Sequence, residues 1–246
     1  MYRKPQKLAA EFFGTLAVVL VSAGVACADQ FLRGSQAAGI VGPPASSAPA
    51  IGALGIALAY GFVFAVMSAA VGHISGGHFN PAVSVGFWAT RRLSTFDALT
   101  YCIVQLGGSI VAAYLLRYAV PEATWRAVAM GTPDLASGIT RSPGMLIEAI
   151  GAFVLTFAIF ATRSAEPKSR RALPAIAGGL ALAAGSLFAA PFTGGALNPA
   201  RALGPATVAN HWTNHGVYWI GPLAGGVLAA WICGLLFPSP DKDHDD

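Results

Sequence analysis

Two asparagines of this 246-residue chain stand in the same local pattern, and their side-chain amides could bind a polar molecule. Residues Ser75–Ala82 have the sequence SGGHFNPA and residues Thr193–Ala200 the sequence TGGALNPA, which places Asn80 and Asn198 118 residues apart. Asparagine is a favoured helix N-cap and proline fits the first turn, so each copy predicts a loop that enters a short helix. A helix N-terminus carries partial positive charge and unpaired N–H groups. Each copy can therefore offer hydrogen-bond donors to an uncharged polar molecule.

Both copies lie between long apolar segments, six of which are long enough to cross a bilayer. The predicted spans run over 8–28, 50–71, 96–120, 145–161, 172–190 and 217–237, and the two short helices over 80–90 and 198–210. Irregular backbone at membrane depth is tolerated only inside protein or beside a water-filled cavity. Two such half-helices in corresponding positions of two chain halves indicate a transport site near the middle of the membrane.

The composition agrees with a polytopic membrane protein. Hydrophobic residues make up 55% of the chain and charged residues 11%, whereas a soluble domain carries about a quarter charged residues. The net charge of +4 is modest and does not indicate binding to nucleic acid. Three cysteines lie inside or at the end of apolar segments and are expected to be small buried hydrophobes: Cys27, Cys102 and Cys233. We predict one all-α membrane domain over residues 1–246, without a metal or another cofactor.

The lysines and arginines at the ends of the predicted spans and between them set the expected orientation, because cytoplasmic loops carry an excess of these residues. Ten of them lie in the two tails and the second-to-third and fourth-to-fifth connections, and five lie in the other connections. Both termini are therefore predicted to be cytoplasmic, with tails 1–7 and 238–246, and residues 29–48 are predicted to form an exposed extracellular connection. An odd number of spans separates the two copies, so repeats over about 8–120 and 145–237 have opposite orientations.

The two boxes, followed by Arg201 after the second, resemble the aquaporin (major intrinsic protein) family, whose hallmark is a pair of Asn-Pro-Ala boxes. The resemblance implies six helices, two re-entrant half-helices and a homotetramer with one pore per subunit. It also implies that the boxes Asn80-Pro81-Ala82 and Asn198-Pro199-Ala200 meet at the midplane, where the asparagine amides donate to the permeant. Arg201 is expected to line the narrowest point, near the extracellular mouth, and to exclude protons and cations together with the boxes. Residues before the boxes are expected to present carbonyls to the permeant: Gly76, Gly77, His78, Gly194 and Ala196. The ring of His78 is a further candidate.

Glu11 and Glu148 lie near the starts of the first and fourth spans, within apolar runs. They could accept hydrogen bonds from the irregular loops of the half-helices, which is the bracing role of the corresponding glutamates in the family. They could instead be the proton-coupling carboxylates of a secondary transporter. We favour the brace.

Four family positions set the selectivity constriction, and counting from the boxes assigns them to Tyr60, Ser186, Gly195 and Arg201. In the family, strict water channels have an aromatic residue, a histidine and a small residue at the first three positions. Glycerol-conducting members tend to combine a tryptophan, a glycine and a second aromatic residue there. This chain keeps the aromatic residue and lacks the histidine, which predicts a wider and less cationic opening.

Other positions resemble water-type members. Ala202 follows Arg201, where glycerol-type members have an aspartate, and Tyr218-Trp219 in the last span also matches the water-type pattern. The sequence therefore predicts a passive channel of the cell membrane for water and small neutral solutes, and not an enzyme. Alternatives are a facilitator of glycerol, ammonia or metalloid acids in which water is secondary, a coupled transporter that uses the two glutamates, and a non-conducting protein of the same fold.

Overall fold

The computed structural model describes residues 2–37, 51–164 and 172–237, and within these ranges the secondary structure is helical. The α-helices, in chain order, are α1 (Lys4–Ala37), α2 (Gly52–Ser75), α3 (Pro81–Ala89), α4 (Thr95–Ala119), α5 (Glu122–Ala127), α6 (Arg141–Ser164), α7 (Leu173–Thr193), α8 (Pro199–Ala209) and α9 (Val217–Leu236). A 3₁₀ turn at Ala129–Gly131 lies between α5 and α6.

Six helices in the described ranges are long and apolar enough to cross a membrane: α1, α2, α4, α6, α7 and α9. Each begins and ends within four residues of its predicted span, apart from the end of α1. The two half-helices α3 and α8 lie where they were predicted, inside the bundle. The prediction of an all-α membrane protein with six spanning helices and two half-helices is confirmed.

The prediction for the end of the first span was wrong. Helix α1 continues through residues 29–37, which were expected to belong to an exposed connection. The carboxylate of Asp29 explains part of this extension, because it bonds Arg33 one helical turn later at 2.7 Å. The same carboxylate accepts hydrogen bonds from the backbone N–H groups of Ile51 and Gly52 at the start of α2. The rest of the predicted connection, 38–48, and the C-terminal tail 238–246 lie outside the described residues.

Each half-helix begins as its sequence predicts. The side chain of Asn80 accepts a hydrogen bond from the N–H of Ala82 at 2.8 Å, and Asn198 accepts from the N–H of Ala200 at 2.9 Å. Both asparagines have extended backbone, and a proline follows each at the first helical position. The asparagine thus bonds an N–H group that the helix itself leaves unpaired.

The packing of one chain half is repeated in the other. Helix α1 packs on α2 and α4, just as α6 packs on α7 and α9, and α2 and α7 pack against each other between the halves. Each half-helix packs mainly on a spanning helix of the opposite half, α3 on α9 and α8 on α4. The two box loops are therefore held by both halves of the chain.

Small residues allow the half-helices to approach the spanning helices closely. A methyl group added at Gly204 of α8 would overlap the backbone and hydroxyl of Ser109 on α4. That hydroxyl donates to the carbonyl of Ala200 and accepts from the N–H of Gly204 at 3.0 Å. At the corresponding contact, a methyl group at Gly226 of α9 would lie 2.5 Å from the carbonyl oxygen of Ala82.

We therefore expect Gly204→Ala to destabilise the protein by about 1–3 kcal/mol, the usual cost of adding a methyl group to a filled contact. The measurement is the thermal midpoint of the purified protein in detergent. Gly34→Ala on α1 is the matched control, because a methyl group there meets no atom of the described residues within 4 Å. Equal midpoints for the two variants would contradict the close contact between α8 and α4.

Candidate pore site

The two asparagines are joined to each other's loops by reciprocal hydrogen bonds. Nδ2 of Asn80 donates to the carbonyl of Leu197 at 2.9 Å, and Nδ2 of Asn198 donates to the carbonyl of Phe79 at 3.0 Å. Both side chains are buried. An amide nitrogen carries two N–H groups, so each asparagine has a second donor beyond this bond. The structure thus brings together two boxes that lie 118 residues apart in the sequence.

The first box loop is held by the buried carboxylate of Glu11. Its Oε1 accepts from the hydroxyl of Ser75 at 2.6 Å and from the N–H of His78 at 2.9 Å. Its Oε2 accepts from the N–H of Phe79 at 2.7 Å and from Nε2 of Gln105 at 2.9 Å. One carboxylate therefore accepts hydrogen bonds from two backbone N–H groups that have no partner within a helix.

Glu148 makes the same contacts in the second loop, and it is equally buried. Its Oε1 accepts from the hydroxyl of Thr193 at 2.6 Å and from the N–H of Ala196 at 3.0 Å. Its Oε2 accepts from the N–H of Leu197 at 2.6 Å. In both loops the partners are an equivalent hydroxyl and two equivalent backbone N–H groups, which supports the bracing interpretation of the glutamates.

The residue before each asparagine has left-handed backbone, with φ of 48° at Phe79 and 53° at Leu197. Such a conformation is unfavourable for a side chain of this size, and it persists only when the surroundings impose it. The ring of Phe79 fills the space over Gly14, and the side chain of Leu197 fills the space over Gly151, where in each case a methyl group would overlap it. The side chain is thus anchored in the core while the carbonyl turns toward the opposite asparagine.

Two tyrosines that sequence reasoning missed in this role complete the anchoring of the loops. The hydroxyl of Tyr101 donates to the carbonyl of Ser75, and that of Tyr218 donates to the carbonyl of Thr193, each at 2.8 Å. The two tyrosines are 117 residues apart, almost the spacing of the boxes, and this repeated spacing is the signal that could have identified them. Gln105 was also missed. The residue at the same spacing from Gln105 in the second half is a proline, Pro222.

Arg201 lies in the first turn of α8 and is nearly buried, with 5% of its surface exposed. Its Nη1 donates to the carbonyl of Gly131 at 2.7 Å. This carbonyl belongs to the 3₁₀ turn before α6, where Met130 and Gly131 both have positive φ. Sequence reasoning did not identify Gly131, because its contact with Arg201 spans 70 residues of chain.

Of the other expected filter residues, Ser186 shares a cavity with Arg201. Ser186 and Arg201 line a cavity of about 350 Å³, whereas Tyr60 and Gly195 do not. The hydroxyl of Ser186 donates to the carbonyl of Gly195 at 3.1 Å, and that of Tyr60 donates to the carbonyl of Ala196 at 2.8 Å. A carbonyl oxygen has two lone pairs, so both carbonyls can still accept from a permeant.

The residues expected to present carbonyls lie in the two loops that lead into the boxes. Gly194 lines the same cavity as Arg201, and Gly76 and Gly77 form the left-handed turn at the end of α2. The ring of His78 is buried and packs against those of Phe87 and Tyr101, with centroids 4.8 and 5.6 Å away. Nδ1 of this ring lies 3.1 Å from the hydroxyl of Ser84.

A polar cluster at the rim of the cavity was not predicted from the sequence. Oδ2 of Asp134 lies 2.8 Å from Nε2 of His211, and Oδ1 accepts from Nδ2 of Asn214 at 3.1 Å. The cluster ties the connection before α6 to the connection after α8. Burial works to raise the pKa of Asp134, but the hydrogen bonds from Asn214, His211 and the N–H of Leu135 outweigh it, so the pKa lies below its ordinary value.

Residues 2–233 match the family model described as Major intrinsic protein. The chain belongs to this family. It is 38% identical over 188 residues to mouse (Mus musculus) aquaporin-4, a match that covers 76% of this chain and 57% of the relative. It is 37% identical over 230 residues to aquaporin TIP2-1 of Arabidopsis thaliana, covering 93% and 86%, and 33% identical over 237 residues to human (Homo sapiens) aquaporin-1, covering 96% and 84%.

A solved structure titled as the aquaglyceroporin from Plasmodium falciparum matches the fold, with a TM-score of 0.74. The match covers 94% of this chain and 98% of that one at 17% sequence identity, so it shows a common fold. The predicted resemblance to the major intrinsic proteins is therefore confirmed. Together with the six apolar helices, the family identifies an integral membrane protein of a channel family.

Glu148→Gln should lower both the stability of the protein and the flux through it. A glutamine places an amide donor where two backbone N–H groups need acceptors, and leaving a buried group unpaired costs about 1–3 kcal/mol. The measurements are the thermal midpoint in detergent and the water permeability of proteoliposomes. Glu11→Gln should have a similar effect. Glu122→Gln is the control and should have little effect, because Glu122 forms only an exposed ion pair with Arg126. A stable, fully active Glu148→Gln variant would contradict the bracing role.

The Asp134 cluster should make stability depend on pH. Because the folded state lowers the pKa of Asp134, its contribution is fully present above the ordinary carboxyl pKa of about 4 and is lost as the pH falls through the lower folded-state value. The thermal midpoint should therefore fall on acidification, and less steeply for Asp134→Asn than for the natural protein. Glu122→Gln is the control. Identical slopes for Asp134→Asn and the natural protein would contradict this assignment.

Proposed function

We propose that this protein is a passive channel that conducts water and small neutral solutes while excluding protons and ions. The observation that carries the proposal is the reciprocal pairing of Asn80 and Asn198, which holds two helix N-termini and two amide donors at one place. The chain's membership of the major intrinsic proteins, and its similarity to proteins named aquaporins, support it.

The paired boxes explain how water could pass without a proton. A water molecule that accepts hydrogen bonds from both asparagines turns its oxygen toward them and its hydrogens toward its neighbours in the file. The hydrogen-bonded chain is then reversed at this point and cannot relay a proton. The partial positive charge of the two helix N-termini also raises the energy of any cation there.

Arg201 and the small residues near it would set which neutral molecules enter. Its guanidinium, held by the carbonyl of Gly131, adds a fixed positive charge and further donors beside the cavity. Ser186 leaves more room there than a histidine would, and its hydroxyl donates to the carbonyl of Gly195. This favours passage of ammonia, glycerol or an undissociated metalloid acid in addition to water. A facilitator in which water is secondary is the second candidate.

The contacts of the two glutamates disfavour the coupled transporter. Glu11 and Glu148 are fully buried, and each carboxylate accepts hydrogen bonds from two backbone N–H groups and from a hydroxyl. Protonation would place a donor against donors and so break these bonds. In the channel that we propose, these residues hold the box loops throughout transport, and no covalent step or cofactor is required, so the protein is not an enzyme.

The proposed setting is the cell membrane, with one channel domain over 1–246, inverted repeats over about 8–120 and 145–237, and cytoplasmic tails 1–7 and 238–246. Exposed large apolar side chains on the spanning helices, such as Phe62, Ile103 and Trp231, suit contact with lipid or with neighbouring subunits. We propose a homotetramer with one pore per subunit and no nucleic-acid partner. The excess of basic residues on one side of the predicted spans supports cytoplasmic termini.

Reconstituted vesicles provide the test of the function. An osmotic step should shrink proteoliposomes faster than empty liposomes, at a rate proportional to the step and independent of an imposed pH gradient. A flux that requires the pH gradient would replace the channel with the coupled transporter. Glycerol, ammonia and boric acid fluxes in the same vesicles identify the solutes. Vesicles that conduct water and none of these solutes would contradict the wider filter.

Ser186→His should narrow the selectivity of the channel. A histidine would add bulk and donors beside Arg201, so glycerol flux should fall about tenfold or more while water flux changes much less, in line with what small steric changes in a binding pocket achieve. Ser186→Ala is the matched control, because it removes the hydroxyl without adding bulk. An unchanged ratio of glycerol to water flux in Ser186→His would show that Ser186 does not line the constriction.

A further inference from the structure

A second arginine lies beside the first box loop. Arg163 stands in the last turn of α6, and its Nη1 is 3.4 Å from Nε2 of His78. A methyl group added at Gly76 would come within 3.2 Å of the same nitrogen. Arg163 therefore contacts the stretch that leads into Asn80, whereas Arg201 follows Asn198. Arg201 bonds the carbonyl of Gly131, which precedes α6, whereas Arg163 lies at the end of α6, so the two guanidinium groups lie toward opposite ends of this spanning helix.

A chain of hydrogen bonds holds Arg163 in this place. A guanidinium only donates, so Nε2 of His78 must accept, and the ring proton is on Nδ1. Nδ1 then donates to the hydroxyl oxygen of Ser84 at 3.1 Å. Ser84 also accepts from Nε2 of Gln105 at 3.0 Å, and the same nitrogen donates to Glu11 at 2.9 Å. The position of the Arg163 guanidinium is thus tied to the carboxylate that braces the first loop.

An aromatic ring lies on the same guanidinium. The Cζ atom of Arg163 lies 5.2 Å from the centroid of Phe87, within the range of a cation–π contact. Phe87 belongs to α3, the half-helix that Asn80 caps. The arginine is therefore held against both the loop and the half-helix of the first box.

The equivalent positions of the second chain half do not repeat this chain of polar residues. At the spacing of the boxes, alanines replace two of its members, Ala196 for His78 and Ala202 for Ser84. Conversely, Val83 stands in the first box where the second has Arg201. The first box thus supplies no guanidinium of its own, and α6 brings one to that side instead.

We propose that Arg163 forms a second cation barrier of this pore, on the side of the paired asparagines opposite Arg201. The inference rests on the channel function proposed above. A fixed charge a few ångströms from the path raises the energy of a passing cation by Coulomb repulsion and leaves neutral molecules almost unaffected. Flux through barriers in series is limited by the highest, so the effect of Arg163 is exposed when Arg201 is removed.

The test compares charges at position 163 in an Arg201→Val background. Proton flux is measured with an enclosed pH dye in voltage-clamped proteoliposomes, and water permeability is measured in the same vesicles. Arg201→Val/Arg163→Gln should leak about tenfold more protons than Arg201→Val/Arg163→Lys, which keeps the charge. Arg163→Met in the same background is a second neutral variant and should leak like Arg163→Gln. The water permeability of all these variants should agree within about twofold.

Arg92→Gln in the same background is the matched control. Arg92 lies near the same end of α6, but its guanidinium bonds the hydroxyl of Ser164 at 2.7 Å and the carbonyl of Phe237 at 2.8 Å, and neither partner belongs to the box loop. The Arg92→Gln substitution should not change the proton leak.

Equal proton leaks for the charged and neutral variants at position 163 would overturn the proposal that Arg163 is a second cation barrier. Absence of water flux in the natural protein would instead overturn the proposed function, so the two failures are distinguishable.

Discussion

The structure depends on the pairing of backbone N–H groups in two irregular loops that lie inside a membrane protein. Surrounding lipid and apolar side chains offer these groups no partner, and leaving them unpaired would cost several kcal/mol in all. Glu11 and Glu148 provide the acceptors, each for two N–H groups and one hydroxyl. The remaining features of the site follow from this arrangement. With the loops held, Phe79 and Leu197 adopt left-handed backbone, and their carbonyls meet the amides of the opposite asparagines.

The two halves share this frame but differ in the charged groups placed around it. Arg201 follows the second box directly and donates to the carbonyl of Gly131. Gly131 lies in the connection that joins the two chain halves. On the other side Arg163 reaches the first loop from α6 through His78. A duplicated fold thus supports different chemistry at its two ends, because side chains outside the braces can change without disturbing the loops.

Much of the fold could be predicted because lipid imposes length and polarity on a spanning helix. The six spans and both half-helices were found within a few residues, and the Asn-Pro pairs indicated where α3 and α8 begin. The end of α1 could not be predicted, since residues 29–37 continue the helix with polar side chains and one of them, Asp29, bonds the start of α2. Similarly, no local pattern distinguishes the bracing Gln105 from a polar residue that faces lipid or solvent.

The sequence by itself determined the number of spanning helices and half-helices, the duplication of the boxes and which residues begin the half-helices, since these depend on local composition and spacing. The tertiary structure alone decided that Asn80 bonds the loop of Asn198, that Gly131 holds Arg201 and that Arg163 reaches His78. Each of these contacts joins residues at least 70 positions apart. Such contacts arise only when helices pack, because the packing distance between two helices, and not the sequence near either residue, sets which side chains meet.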